Sequence, residues 1–147
     1  MKPLGVNRVS IAVKDLEKGV EFYSKLLGAT FFEATADDTE KLGIRVALSW
    51  DAGIELVSPM PDKDTFVTKI IEQRGEGLIG VVFAVDDVEV AHDAAEKLGV
   101  GVWYTLDYSQ EEIDKHLQGR FTKYKEYMLD PSTSYGVGPI IGQFEPK

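Results

Sequence analysis

The feature that most constrains the fold is a stretch that occurs twice. Val9-Ser10-Ile11-Ala12-Val13-Lys14-Asp15-Leu16-Glu17 returns as Val81-Val82-Phe83-Ala84-Val85-Asp86-Asp87-Val88-Glu89. Val9 aligns with Val81, Ala12 with Ala84, Val13 with Val85, Asp15 with Asp87 and Glu17 with Glu89. Lys25-Leu26 matches Lys97-Leu98 at the same offset, and Gly28 matches Gly99 one residue short of it. Each copy reads as strand, sharp turn, helix and glycine stop, so one supersecondary unit is used twice.

The pattern within each copy assigns its faces. Val9, Ile11 and Val13 alternate with Arg8, Ser10 and Ala12. The apolar set packs on a helix; the small and polar set suits a strand face lining a groove. Asp15 is placed to cap a helix whose apolar stripe is Leu16, Val20, Tyr23 and Leu27, stopped by Gly28. Thr30 to Thr35 reads as a strand, Ala36 to Lys41 as a polar turn, and 44–50 and 53–58 as a hairpin through Asp51-Ala52-Gly53. The result is a βαβββ module over 6–58. A connector over 59–77 carries a short helix capped by Asp64 or Thr65 and stopped by Gly75.

A second βαβββ module spans 78–147. Val81, Phe83 and Val85 face its helix, and Gly80, Val82 and Ala84 the groove. It differs from the first by an insertion, 107–122, in place of a hairpin turn. There Ser109-Gln110-Glu111-Glu112 has the form of a capping box, and Gly119 of a stop, which predicts a short helix. Pro139 in the last strand suggests an edge or a bulge. Nothing in the 147 residues resembles a linker, and a single domain of two modules is the expectation.

The formal net charge of −9 argues against nucleic-acid and anionic-membrane partners, which need a basic patch. The absence of cysteine excludes disulfides, thiolate metal sites and cysteine nucleophiles. No apolar run has signal-peptide or bilayer-spanning length, so a cytoplasmic location is the expectation.

The stretch Val6 to Lys18, with Phe22-Tyr23 and Leu26-Leu27-Gly28, resembles the opening of the vicinal oxygen chelate superfamily, which contains glyoxalases, bleomycin-resistance proteins and extradiol dioxygenases. Glu55-Leu56-Val57 before Pro59 is similar to its fourth strand, and Asp130-Pro131 with Gly136 to its final turn. The connector over 66–77 is similar to that of methylmalonyl-CoA epimerases. The resemblance implies an α+β fold, with the two βαβββ modules forming a cupped, eight-stranded half-barrel groove, and a homodimer. It also implies a divalent metal held by side chains of the first, fourth, fifth and eighth strands, acting as a Lewis acid on neighbouring substrate oxygens.

On this chain the implied ligand positions fall on Arg8, Glu55, Gly80 and Ile140. Only Glu55 is a ligand type, and a guanidinium cannot bind a cation. No resident metal or other cofactor is therefore expected; a divalent metal belongs to the alternative in which the ligands are relocated. Gln143 enters the groove only if Pro139 marks a bulge that reverses the pleat. Of the two histidines, His92 lies beside its helix's apolar stripe, in a solvent or packing role. His116 lies in the insertion, as a surface residue or part of a lid.

Arg8 and Glu55 are expected to meet across neighbouring strands. There Arg8 holds a substrate carboxylate or carbonyl and Glu55 orients it or acts as base, or else the two only neutralise each other. Further candidate ligand-binding residues are Ser10, Arg45, Ser49, Tyr104, Tyr108, His116 and Tyr127, with Tyr124 on the opposite face of its strand from Tyr127. The run Lys123-Tyr124-Lys125-Glu126 reads as a solvated strand face. Three functions remain open: a metal-independent binder, isomerase or lyase for a small organic molecule; a metal-dependent epimerase or lyase with relocated ligands such as Glu55 and His116; and a non-catalytic structural or regulatory module.

Overall fold

The computed structural model describes residues 1–147. The chain is α+β, and it divides into two compact units, Arg8–Ile79 and Met1–Asn7 together with Gly80–Lys147.

The unit Arg8–Ile79 holds the second half of β1 (Pro3–Ala12), then α1 (Leu16–Leu27), β2 (Phe32–Ala34), α2 (Asp37–Leu42), β3 (Ile44–Ser49), β4 (Ile54–Pro59) and α3 (Phe66–Arg74). Its strands run in the order β2-β3-β4-β1, with β1 parallel to β4 and the other pairs antiparallel. Asp15 starts α1 by accepting a hydrogen bond from the Lys18 N–H, and Gly28 ends it at φ 68°. Leu16 of α1 packs on Ala47, Ile54 and Leu56, with Val9, Ile11, Val13, Val20 and Tyr23 around them. The helix side of β1 is therefore the one its alternation predicts. Thr65, not Asp64, caps α3, in a reciprocal box with Thr68.

The segment read as a polar turn is the helix α2. Asp37, Asp38 and Glu40 crowd its first turn, where the helix dipole favours anions, and Gly43 closes it at φ 70°. A Cβ on Gly43 would stand 2.9 Å from the Thr65 methyl, so this turn needs glycine for space as well as for conformation.

The other unit comprises most of β5 (Gly77–Val85), then α4 (Val88–Lys97), β6 (Val102–Tyr108), α5 (Gln110–His116), β7 (Phe121–Leu129) and β8 (Pro139–Pro146), with the opening residues of β1. Its own strands follow the order β5-β8-β7-β6. Asp87 repeats the role of Asp15, accepting from the N–H groups of Glu89 and Val90. Val85, Val88, Ala91, Ala95, Tyr127 and Leu129 form the core between α4 and the strands. The chain start belongs here: Lys2 N–H donates to the Asp86 carboxylate at 2.6 Å, and Asp86 N–H to the Lys2 carbonyl at 3.1 Å.

The insertion carries the expected helix, α5, capped reciprocally by Ser109 and Glu112, but it does not replace a bare turn, because the corresponding link between the second and third strands of the first module carries α2. The partners of α5 are β6 and β7. Pro139 marks neither an edge nor a bulge. It is the first residue of β8, which lies between β5 and β7, and there a missing N–H costs the ladder little.

Candidate functional site

Each unit has a strand face covered by its helix and an opposite face. In the unit Arg8–Ile79 the opposite face carries Arg8, Ser10 and Ala12 from β1, Glu55 and Val57 from β4, and Val46 and Leu48 from β3, as the pairings Ser10↔Glu55 and Leu48↔Glu55 require. Arg8 is only 3% exposed, and its Nη2 lies 3.5 Å from Glu55 Oε1. The Ser10 hydroxyl donates to Glu55 Oε2. The Arg8 guanidinium carbon stands 5.7 Å from the centre of the Trp50 ring, within cation–π range. The Glu55 side chain keeps 14% of its surface exposed. Arg8 and Glu55 thus meet across neighbouring strands, and Ser10 joins them, so that a buried cation, a carboxylate and a hydroxyl lie together.

These residues do not suit a metal. In this unit the first-strand ligand position holds a permanent cation lying against the one carboxylate at hand. In the other unit the two positions fall on Gly80 and Ile140, which have no donor side chain.

Arg45 and Ser49 do share a face of β3, but it is the helix-covered one, because Ala47 between them packs on Leu16. Arg45 binds Glu33 through Nε at 3.0 Å and Nη2 at 2.7 Å, and its Nη2 also meets Glu17 of α1 at 2.7 Å. The two carboxylates raise the pKa of Arg45, and Arg45 lowers that of Glu17. With Leu16, Val20, Phe31, Phe32 and Ala47, these residues line a surface pocket of about 380 Å³. Ser49 donates to Asp51, which lowers the pKa of that carboxyl, and its oxygen accepts from the Ala52 N–H. Neither residue belongs with Glu55.

In the other unit, the pairings place Tyr104, Leu106 and Tyr108 of β6, Tyr124, Glu126 and Met128 of β7, and Ile140, Gly142 and Phe144 of β8 on the face opposite α4. Tyr108 stacks on Tyr124 at 5.6 Å, and Phe144 lies 4.7 Å from Tyr124. The Tyr124 hydroxyl donates to Glu126 Oε1 at 2.8 Å. Glu126 is 1% exposed, so the run from Lys123 to Glu126 is not a solvated face. Sequence reasoning missed this residue. Its signal was the alternation Tyr124, Glu126, Met128, obscured because the lysines of the other face fall between.

His116 is not a surface residue: it is 8% exposed, with its ring 6.4 Å from that of Tyr108. Tyr127 is on the α4 side and not with the other tyrosines. Its hydroxyl donates to Glu89 at 2.9 Å, and Lys125 lies 5.1 Å from its ring centre. Burial raises the pKa of Tyr127. Lys125, 2.6 Å from Glu89, lowers the pKa of that carboxyl and has its own raised. His92 packs 4.5 Å from the Tyr127 ring, as a helix-packing residue would. Gln143 accepts from the Val88 N–H at the start of α4, so the pleat is not reversed. No helix is long and apolar enough to cross a membrane.

A model of the glyoxalase/bleomycin resistance protein/dioxygenase superfamily matches residues 5–110. No curated protein matches the sequence. Among solved structures, methylmalonyl-CoA epimerase from Mycobacterium tuberculosis is similar at 26% identity and a TM-score of 0.71, over 99% of this chain and 89% of that one. A methylmalonyl-CoA epimerase in complex with methylmalonyl-CoA and NH4+ gives 23% identity and a TM-score of 0.75, over 99% of this chain and 100% of that one. A Streptomyces coelicolor methylmalonyl-CoA epimerase variant in complex with 2-nitronate-propionyl-CoA gives 24% and 0.73, over 97% and 98%.

Proposed function

Because the chain belongs to the glyoxalase/bleomycin resistance protein/dioxygenase superfamily, we propose that it is a metal-independent member that binds a small carbonyl- or carboxylate-bearing molecule. The observation that carries this reading is the buried Arg8 beside Glu55 at a strand position where the family resemblance implies a metal ligand. A guanidinium there supplies fixed positive charge to a substrate oxygen, the service a Lewis acid otherwise gives. Glu55, partly exposed and held by Ser10, takes the proton from the carbon next to the carbonyl. The C–H electron pair forms the C=C bond of an enolate as the carbonyl π pair moves onto oxygen, where Arg8 compensates the charge. Return of the proton from Glu55 to the same face restores the substrate with its hydrogen exchanged against solvent, and return after the enolate has turned over in the groove completes an isomerisation.

Two of the similar structures hold acyl-CoA thioesters, which makes methylmalonyl-CoA a suitable first probe. The test is deuterium exchange at its C2 position in heavy water, followed by NMR after treatment with a chelator, with metal analysis of the purified protein. The expected outcome is exchange that survives the chelator, no stoichiometric metal, and a loss of roughly 100-fold or more in Arg8→Gln and in Glu55→Gln. Binding of the probe without exchange assigns the site to sequestration. A stoichiometric metal at Glu55, or exchange only after metal is added back, would overturn the proposal.

A further inference from the structure

On the helix-covered side of the unit Arg8–Ile79, the side away from Arg8 and Glu55, lies a cavity that the proposed reaction does not use. It opens between α1 and the strands β2 and β3, with a volume of about 380 Å³, in the range of small-molecule sites. It stays open because β2 ends the strand order, so no further strand closes the gap beside α1. Leu16 and Ala47, both buried, and the half-buried Val20, Phe31 and Phe32 give it an apolar lining. Its charged side chains are three carboxylates, Glu17, Glu21 and Glu33, against one guanidinium, Arg45. Arg45 is committed to Glu17 and Glu33. Glu21 stands one helical turn from Glu17 on the same face of α1, where like charges repel. It pairs with Lys25 at 2.6 Å, but both side chains are mostly exposed, and such a pair yields readily to a competitor.

We propose that this cavity binds a small organic cation, an ammonium group carried on an apolar body, with the body against Val20, Phe31 and Phe32 and the ammonium between Glu17 and Glu21. Charge decides the class of ligand. A carboxylate or phosphate would meet an excess of acidic side chains, and the guanidinium among them is already engaged by two. A primary ammonium has three donors and no acceptor, so it can serve carboxylates on successive helical turns. The apolar lining lowers the local dielectric and strengthens those contacts. The site goes beyond the Arg8–Glu55 reading and does not depend on it: it occupies the other face of the same unit and selects the opposite charge.

Phenylethylammonium, phenylethanol and phenylpropionate share an aromatic body and differ in charge, so each is titrated against ¹⁵N-labelled protein. With the ammonium, saturable shifts are expected at the Val20, Phe32 and Glu33 amides, while those of Ser10 and Glu55 stay still. Its Kd is expected to be roughly tenfold or more below that of the alcohol, with no saturation by the carboxylate. Glu21→Gln leaves the Arg45 pairs untouched and is expected to weaken ammonium binding roughly fivefold. Glu21→Lys is expected to abolish it, with Tm unchanged because the side chain is exposed. Equal affinity for alcohol and ammonium, unaltered affinity in Glu21→Gln, or no saturable shift at the cavity amides overturns the proposal. Exchange of methylmalonyl-CoA is measured separately, so this inference and the Arg8–Glu55 reading can each fail alone.

Discussion

At the scale of single residues, what the sequence disclosed depended on whether face and strand register were both needed. Arg8, Ser10 and Glu55 were legible because alternation within β1 and β4 suffices once the two strands are neighbours. Arg45 and Ser49 were assigned to the same strand face correctly, but which side of the sheet that face occupies follows from Ala47 packing on Leu16, a tertiary fact. Glu126 was hidden by the lysines that alternate with it. Gly142 illustrates a constraint that no local pattern carries. A Cβ there would come within 2.2 Å of the Phe144 ring, which folds back over it beside Tyr124. Gly142→Ala is therefore expected to destabilise the protein by about 1–3 kcal/mol, as overpacking does. Urea unfolding checks this, and adding Phe144→Leu is expected to recover part of the loss.

At the scale of elements, the two modules repeat a device that the sequence alignment only hinted at through Glu17 and Glu89. In one, Arg45 of β3 is gripped by Glu17 of α1 and Glu33 of β2. In the other, Lys125 of β7 is gripped by Glu89 of α4 and Asp107 of β6, at 2.6 and 3.6 Å. Helix, third strand and second strand are thus tied by one cation in each. Glu17 and Glu89 have pKa values held below the usual carboxylate range by these cations. The folded value being lower than the unfolded one, their stabilisation is fully present above the unfolded pKa and is lost as pH falls through the folded one. The wild-type protein is expected to lose stability steeply below about pH 4.5, and Glu17→Gln/Glu89→Gln to show a flatter acid limb. Urea midpoints across that range, at low and high salt, test it; the difference shrinks in salt because the pairs are solvent-facing. The helices α2 and α5 show the limit of local reading. A proper capping box announced α5, whereas α2 has no side-chain cap and its acidic first turn resembled turn chemistry.

At the scale of the whole molecule, the repeat announced the α+β class and the βαβββ plan, because apolar alternation, caps and glycine stops agree with one another in both copies. Its chemistry was less legible, since three of the four implied ligand positions, all but Glu55, are departures from the family's residues and a departure names no replacement. The unit boundary within β1 was not visible in the sequence at all: Met1–Asn7 belong with Gly80–Lys147. Deleting residues 1–7 is expected to speed hydrogen exchange at the Asp86 amide, which bonds to the Lys2 carbonyl, and to leave that of Gly28, which bonds to Ser24, unchanged. Unaltered protection at Asp86 would contradict that assignment.

That membership has a consequence in time. Synthesis runs from the N-terminal side, so Met1–Asn7 are made before the rest of the unit they belong to. Arg8–Ile79 has its parts in hand before the remainder exists, whereas Lys2 waits for Asp86, its hydrogen-bond partner, to be made. During synthesis the opening residues of β1 therefore wait past the completion of the Arg8–Ile79 unit, until Asp86 has emerged, before they can be sheltered.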